Sequence, residues 1–290
     1  MGSQNHGKLN WLQRNLPEGL VADAGWFERH GVSRQLRRKY VMNGWLLSLA
    51  RGVYARPVPK DTADELPWQQ LVVSLGSLLD LPVAAGARTA LELQGFSHYL
   101  AASGPREVHL YVNKSLPRWV AQVPVSAPLV VHNAKRLFRT WGEIPPSTHA
   151  AGAGEALQRA GLLRQPWGST TWTLTLSTPE RAVLELLDEV PNRETFHQAD
   201  VLMEGLRNLS PKRLQALLAD CKSVKVKRLF FWFAERHGHA WLEKLDRSGI
   251  HLGKGKRMLV RGGKLDPKYN ITVPESLDGG GVGPLAETIS

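Results

Sequence analysis

The chain has 290 residues, 42% of them hydrophobic, and a formal charge of +11 at pH 7 with an isoelectric point near 9.9. This length and apolar content support a substantial core and two or three domains, and the basic excess favours a polyanionic partner while leaving DNA, RNA and an anionic membrane all open. Cys221 is the one cysteine, which excludes an intrachain disulfide and makes a reducing cytoplasm the expected home.

Residues 1–6 lack the apolar core of a signal peptide. Leu71 to Ala87 is interrupted by Ser74, Ser77, Asp80 and Pro82, so no membrane span is expected there. From Asp23 the pattern is that of a winged helix-turn-helix. Asp23 is placed to N-cap a short helix through Glu28 and Arg29, Gly31 supplies a left-handed stop, and Ser33 opens a second helix to Asn43. Advancing about 100° per residue puts Leu36 and Tyr40 on one side and Arg34, Gln35, Arg37, Arg38 and Met42 on the other. Such a face suits a major groove, where arginine pairs with guanine, glutamine with adenine, and flanking cations with phosphate. Gly44 ends the helix, and Trp45 to Ala55 reads as a hairpin turning at Arg51-Gly52, the wing. The plainer alternative is a solvated basic helix face. The order of helix, turn, basic arc and wing, with ten Lys and Arg against three Asp and Glu in residues 1–60, favours DNA. Arg34, Gln35 and Arg38 are expected on base edges, with Arg37, Lys39 and Arg51 on phosphates.

Pro57 to Asp61 reads as a hinge into a mixed α/β middle region, residues 58–176. Helices are predicted at Leu66 to Leu79 and Ala87 to Leu93, and strands at Val108 to Val112, Val120 to Val125, Leu129 to His132 and Thr170 to Leu176. Pro145-Pro146 and Ala150 to Gly154 mark a loop. A mainly helical region, residues 177–275, starts where Thr178 caps and Pro179 takes the first helical position. Further helices are predicted at Ala199 to Leu206, Leu214 to Cys221 and Val224 to Glu235. Glycine-rich turns between short alternating runs from Ile250 to Pro274 suggest a basic β-hairpin, and residues 276–290 a disordered tail. The fold class expected is therefore α+β.

With those segments in view, the chain resembles the AbiEi-family antitoxins of type IV toxin-antitoxin (abortive infection) systems. The resemblance rests on the wing Arg51-Gly52-Val53-Tyr54, on Gly86 to Gly95, on Thr178-Pro179-Glu180-Arg181-Ala182, on Cys221 to Phe230, on Leu252 to Arg257 and on Tyr269 to Pro274. It implies a repressor of its own operon that also neutralises a nucleotidyltransferase toxin encoded beside it. It gives Arg34, Arg37, Arg38 and Arg51 an operator-binding role. Operator DNA with repeated half-sites and the cognate toxin are the implied partners, with the protein a monomer or homodimer and no membrane involved.

Lys222, Lys225, Lys227 and Arg228 open a segment that continues into Leu229, Phe230, Phe231 and Trp232. The aromatics belong to a core; the cations suit either a surface answering an acidic toxin or its RNA substrate, or a core helix whose side chains reach out to water. Lys254, Lys256 and Arg257 on a glycine loop could hold phosphate, although the spacing is not that of a nucleotide P-loop. No cofactor and no metal is assigned: Cys221, His237 and His239 have the wrong spacing for zinc, and no catalytic elbow is present. Asp220 with Lys222, and Glu243 with Lys244 and Asp246, read as ordinary helix-surface pairs rather than a metal-dependent nuclease. An RNA-binding regulator using the basic C-terminal region is the main alternative, and a DNA-targeted nuclease a weaker one.

Overall fold

The structure, a computed structural model, describes residues 3–58, 65–96, 107–140, 152–167 and 172–277. It is α+β, and its first part is a winged helix-turn-helix. Helix α1 (Ser3–Asn15) leads to strand β1 (Val21–Asp23), helices α2 (Ala24–Arg29) and α3 (Arg34–Met42), and strands β2 (Leu47–Ala50) and β3 (Val53–Ala55). The three strands pair antiparallel in the order β1-β3-β2. Asp23 accepts the Trp26 N–H and Ser33 the Leu36 N–H, satisfying donors that a helix start leaves open. Gly31, Gly44 and Gly52 all have positive φ, the backbone state that lets glycine end a helix or turn a hairpin. Helix α1 and strand β1 were not foreseen. Leu12 of α1 and Leu16 just beyond it are buried, Trp11 packs on Trp26 with ring centroids 5.6 Å apart, and Lys8 Nζ donates to the Gly31 carbonyl. α1 thereby braces the turn between α2 and α3.

The centre is a five-stranded mixed sheet of β4 (Val83–Ala85), β5 (Val108–Val112), β6 (Leu129–Asn133), β7 (Leu162–Pro166) and β8 (Thr173–Ser177), in the order β6-β5-β4-β8-β7. Side chains alternate between the faces of a strand, and here each face serves a different core. Val83, Ala85, Val108, Leu110, Val112, Leu174 and Leu176 join α4 (Trp68–Ser77) and the winged helix. Ala84, Tyr111 and Leu162 join α5 (Ala87–Leu93), α8 (Pro179–Glu189), α9 (Phe196–Gly205), α10 (Pro211–Asp220) and α11 (Val224–His237). Both faces being covered makes the central strands continuously apolar, as at Val83–Ala85. That short run carries no alternation to mark it as a strand. On the first side, the Val21 N–H donates to Ser74 Oγ at 2.8 Å, bonding α4 directly to the edge of the winged-helix sheet.

Several expectations give way to tertiary context. The predicted strand at 120–125 is a 3-10 turn over Arg118–Gln122, with Val120 and Val123 buried at the spacing of three that such a turn presents on one side. Ala153 and Gly154 start helix α7 (Ala153–Arg159), which follows the short α6 (Ala134–Leu137), rather than lie in a loop; Pro145, Pro146, Ala150 and Ala151 fall outside the described residues, as do 59–61 of the hinge and 170–171 of the predicted strand. Thr178 stands at the N-cap of α8, but its Oγ1 is buried and makes no capping bond. Residues 250–260 form no strand, since Gly253 and Gly255 take left-handed φ; the terminal hairpin is β9 (Lys264–Asp266) with β10 (Ile271–Val273). The expected tail does not begin at 276: Glu275–Leu277 is a 3-10 turn with Leu277 buried and its carbonyl accepting from Arg236 Nη1. Residues 278–290 lie outside the described residues.

Helix α8 is enclosed. Ala182, Val183, Leu184, Leu186 and Leu187 are buried as the apolar pattern predicts, but so are Glu180, Arg181 and Glu185. Arg181 Nε donates to Glu185 Oε1 at 2.7 Å and Arg181 Nη1 to the Ala160 carbonyl, while the guanidinium lies 4.2 Å from the Phe138 ring centroid. Glu185 Oε2 accepts from Ser177 Oγ at 2.7 Å and the Ala87 N–H at 3.0 Å. Removing one partner strands a buried charge, which costs about 3–5 kcal/mol. Glu185→Ala should therefore lower the free energy of unfolding by that amount in equilibrium urea denaturation; an unchanged midpoint would show that this network is dispensable.

Candidate nucleic-acid interface

Helix α3 presents one side to solvent. Arg34, Gln35, Arg38 and Lys39 are exposed, and Met42 at the end of that side is 78% exposed. Taking Arg34 as zero and turning about 100° per residue, Arg38 lies near 40°, Gln35 near 100° and Lys39 near 140°, a continuous strip of three cations and an amide. The wing turn carries Arg51, also exposed, with Gly52 at φ 78°. Trp45 and Leu47, leading into the wing, are 39% and 49% exposed. Sequence reasoning therefore located five of the six expected residues on an accessible surface.

Arg37 is the correction. It is 3% exposed and faces inward. At about 300° on the same wheel it stands as close to buried Tyr40 as to exposed Arg34, and unpaired backbone oxygens decide the direction. Its Nη1 donates to the Val32 carbonyl at 2.9 Å, its Nη2 to Glu28 Oε1 at 2.9 Å, and its guanidinium carbon lies 5.9 Å from the Tyr54 ring centroid. Arg37 thus joins α2, the turn, α3 and the wing, and holds the reading helix at its angle rather than extending from it.

The C-terminal cations divide the same way. Lys225 donates to the Asp188 and Val190 carbonyls, and burial holds its pKa below the usual lysine value. Lys227 is buried. Arg228, 2% exposed, donates from Nε to the Leu252 carbonyl at 2.7 Å and from Nη1 to those of Gly255 at 2.7 Å and Asn270 at 3.2 Å. It fixes the loop on which Lys254, Lys256 and Arg257 stand exposed. Lys222 is exposed and bonded to the Lys135 carbonyl. Of the seven, Lys222, Lys254, Lys256 and Arg257 remain on the surface. Phe230, Phe231 and Trp232 are core, as read from the sequence.

The carboxylates weighed for nuclease chemistry are held apart in local roles. Asp220 Oδ2 accepts the Arg139 and Thr140 N–H groups, and Asp246 Oδ1 accepts from Ser248. His237 Nε2 meets Asp200 at 2.7 Å, His239 Nε2 lies 2.7 Å from the Met203 carbonyl, and burial pushes the Cys221 thiol up to about 11. One grouping escaped sequence reasoning because its members are scattered along the chain. His109 of β5, His132 of β6 and Glu189 at the end of α8 bring one potential ligand atom each within 4.8 Å of the others. Burial, reinforced at His132 by His109 and at both by Arg193, pushes the two imidazoles down to about 4.

A winged helix-turn-helix with a basic exposed strip, bonded to an α+β body, defines the general class. Family comparison narrows it. Residues 5–102 match the model described as "Transcriptional regulator, AbiEi antitoxin N-terminal domain", and residues 105–274 match "Transcriptional regulator, AbiEi antitoxin, Type IV TA system". The chain belongs to the AbiEi antitoxin family of type IV toxin-antitoxin transcriptional regulators. The crystal structure of the RV2827C protein from Mycobacterium tuberculosis is similar in fold, with a TM-score of 0.53 and 16% identity, covering 93% of this chain and 91% of that one. No curated protein matches the chain. Among the described residues, no helix is long and apolar enough to cross a membrane.

The inward turn of Arg37 separates folding from surface chemistry. Arg37→Ala should cost about 1.5–3 kcal/mol of stability, the range for hydrogen bonds to a charged group, whereas Arg34→Ala and Arg38→Ala should each stay within about 0.5 kcal/mol of the parent. Thermal and urea unfolding of the three variants checks this, and equal stabilities would return Arg37 to the surface set.

Proposed function

We propose that this protein represses its own operon by laying α3 into the major groove of operator DNA, and neutralises the nucleotidyltransferase toxin encoded beside it. Both acts are non-enzymatic and cytoplasmic in this reading. The observation that carries the DNA half is the continuous exposed strip of Arg34, Gln35, Arg38 and Lys39 beside Arg51 of the wing, in a chain of a transcriptional-regulator family. Arg34, Gln35 and Arg38 contact base edges; Lys39 and Arg51 contact phosphates, with Arg37 supporting them from behind. One winged helix covers a small site, so repeated half-sites, bound by a homodimer or by successive monomers, supply the affinity. Neutralisation belongs to the downstream body, where exposed Lys222, Lys254, Lys256 and Arg257 are the charged surface offered to an acidic toxin or to its RNA substrate.

Two assays on one Arg34→Ala/Arg38→Ala/Arg51→Ala variant test this. The parent should bind DNA from upstream of its own gene with an affinity that falls steeply with salt, because neutralised phosphates release counterions. The variant should lose that binding and still rescue cells expressing the neighbouring gene product. Each base-reading arginine replaced alone should cost about 1–3 kcal/mol and relax preference at one position. If the parent shows no preference for upstream DNA and instead binds structured RNA through Lys254, Lys256 and Arg257, the repressor reading fails.

A further inference from the structure

His109, Tyr111 and His132 lie on the same face of the central sheet. Strands β5 and β6 run parallel with Tyr111 opposite His132, and His109 is two residues before Tyr111, so the period of two puts all three on the side covered by α8. Glu189, the last residue of α8, approaches from above. His109 Nδ1 lies 3.0 Å from His132 Nε2, and His132 Nδ1 lies 3.4 Å from Glu189 Oε1. His109 is 3% exposed, and the side chains of His132 and Glu189 are 16% and 12% exposed.

We propose that His109, His132 and Glu189 form a binding site for a zinc ion that clamps the central sheet to helix α8. Two imidazoles and a carboxylate are the donor types zinc takes, and three protein ligands leave a further position for solvent. With ligands about 2.0–2.1 Å from the metal, two corners of a tetrahedral site are about 3.3 Å apart. The His109–His132 nitrogen pair is 3.0 Å apart, with the rings within 7° of parallel and their centroids 5.2 Å apart, so these nitrogens face each other and the rings turn aside to admit an ion. One ligand atom from each of the three residues lies within 4.8 Å of the others, so rotations of these side chains bring all three to one ion. Coordination replaces the hydrogen now shared between the rings. Each neutral imidazole keeps one N–H on the nitrogen that does not hold the ion, so no proton need be released, and Glu189 Oε1, which now stands 3.4 Å from His132 Nδ1, reaches the ion as the ring turns.

The surroundings fit an ion. The Thr89 Oγ1 accepts the His109 backbone N–H at 2.9 Å and fixes the strand position. Arg193 Nε stands 3.8 Å from Glu189 Oε2, leaving Oε1 on the His132 side. The Tyr111 ring stacks on His132 with centroids 4.7 Å apart, and its phenol oxygen is buried with no hydrogen-bond partner. Ligands carried on strands and a helix end, rather than on loops, favour a site of fixed geometry.

The test is a zinc titration of the full chain after chelator treatment, by calorimetry, with cobalt(II) absorption reporting coordination geometry. The expected result is one equivalent of zinc, a tetrahedral or five-coordinate cobalt spectrum, and no uptake of magnesium. His132→Ala and Glu189→Gln should each weaken zinc binding at least tenfold and bleach the cobalt bands. His237→Ala, which alters the separate His237–Asp200 pair, should leave both unchanged. Glu189→Gln preserves side-chain shape, so it keeps the test decisive if His132→Ala misfolds. Absence of stoichiometric uptake by the parent, undiminished binding in Glu189→Gln, or loss of binding in His237→Ala would each overturn the proposal. None of these readouts involves DNA, so the outcome is independent of the repressor reading.

Discussion

The buried carboxylate of Glu185 holds the molecule's central junction together. It receives Arg181 from its own helix, Ser177 from β8 and the Ala87 N–H at the start of α5. A lone charge at zero exposure would be prohibitive, and the pair is tolerable because the two charges meet each other and each has further hydrogen-bond partners. The neighbours are shaped by it. A Cβ on Gly86 would stand 2.3 Å from Glu185 Oε2 and 2.5 Å from the Tyr111 ring, so only glycine fits beside the carboxylate. Ala87, at φ 47°, accepts an uncommon backbone state in which its N–H meets the carboxylate.

From that junction the two cores follow. The sheet separates a side built from the winged helix and α4 from a side built from α5 and α8 to α11. Segments that carry the family resemblance are largely the ones that hold these layers. Arg88 pairs with Glu194, Thr89 with the His109 backbone, Glu180 with the Ser210 N–H and Arg213, and Arg228 with three carbonyls of the terminal loops. Their chemistry is charged, yet their task is internal. The wing, Lys222 and the Leu252–Arg257 loop place resembling cations at the surface.

The same division of labour runs through the winged helix. Arg37 is spent inside, where it satisfies the Val32 carbonyl and the Glu28 carboxylate, and so fixes α3 against α2 and the wing. Arg34, Gln35, Arg38 and Lys39 are then presented on a rigid helix whose orientation is set from behind. Helix α1 contributes to that rigidity through Trp11, whose ring packs against those of Trp26 and His30 in a mutual cluster. Pre-set side chains of this kind lose less freedom on binding than mobile ones.

Local chemistry was legible wherever a single residue type has a single backbone use. Asp23 and Ser33 as caps, Gly31, Gly44 and Gly52 as turns, and the apolar period of α5 and α8 determined those elements. Strand β4 and the 3-10 turn at 118–122 were not legible, because a short all-buried run and a spacing of three look alike until neighbours fill them. Which cations remain at the surface was also undetermined: Arg37, Lys225 and Arg228 differ from Arg34 and Lys254 in what stands within hydrogen-bond reach, not in composition. The meeting of His109, His132 and Glu189 depends on strand register and on where α8 ends. The sequence by itself determined the element types, the basic reading face and the family likeness, since these are short-range patterns; the tertiary structure alone decided which charges became internal braces, because only packing brings distant carbonyls and carboxylates to them.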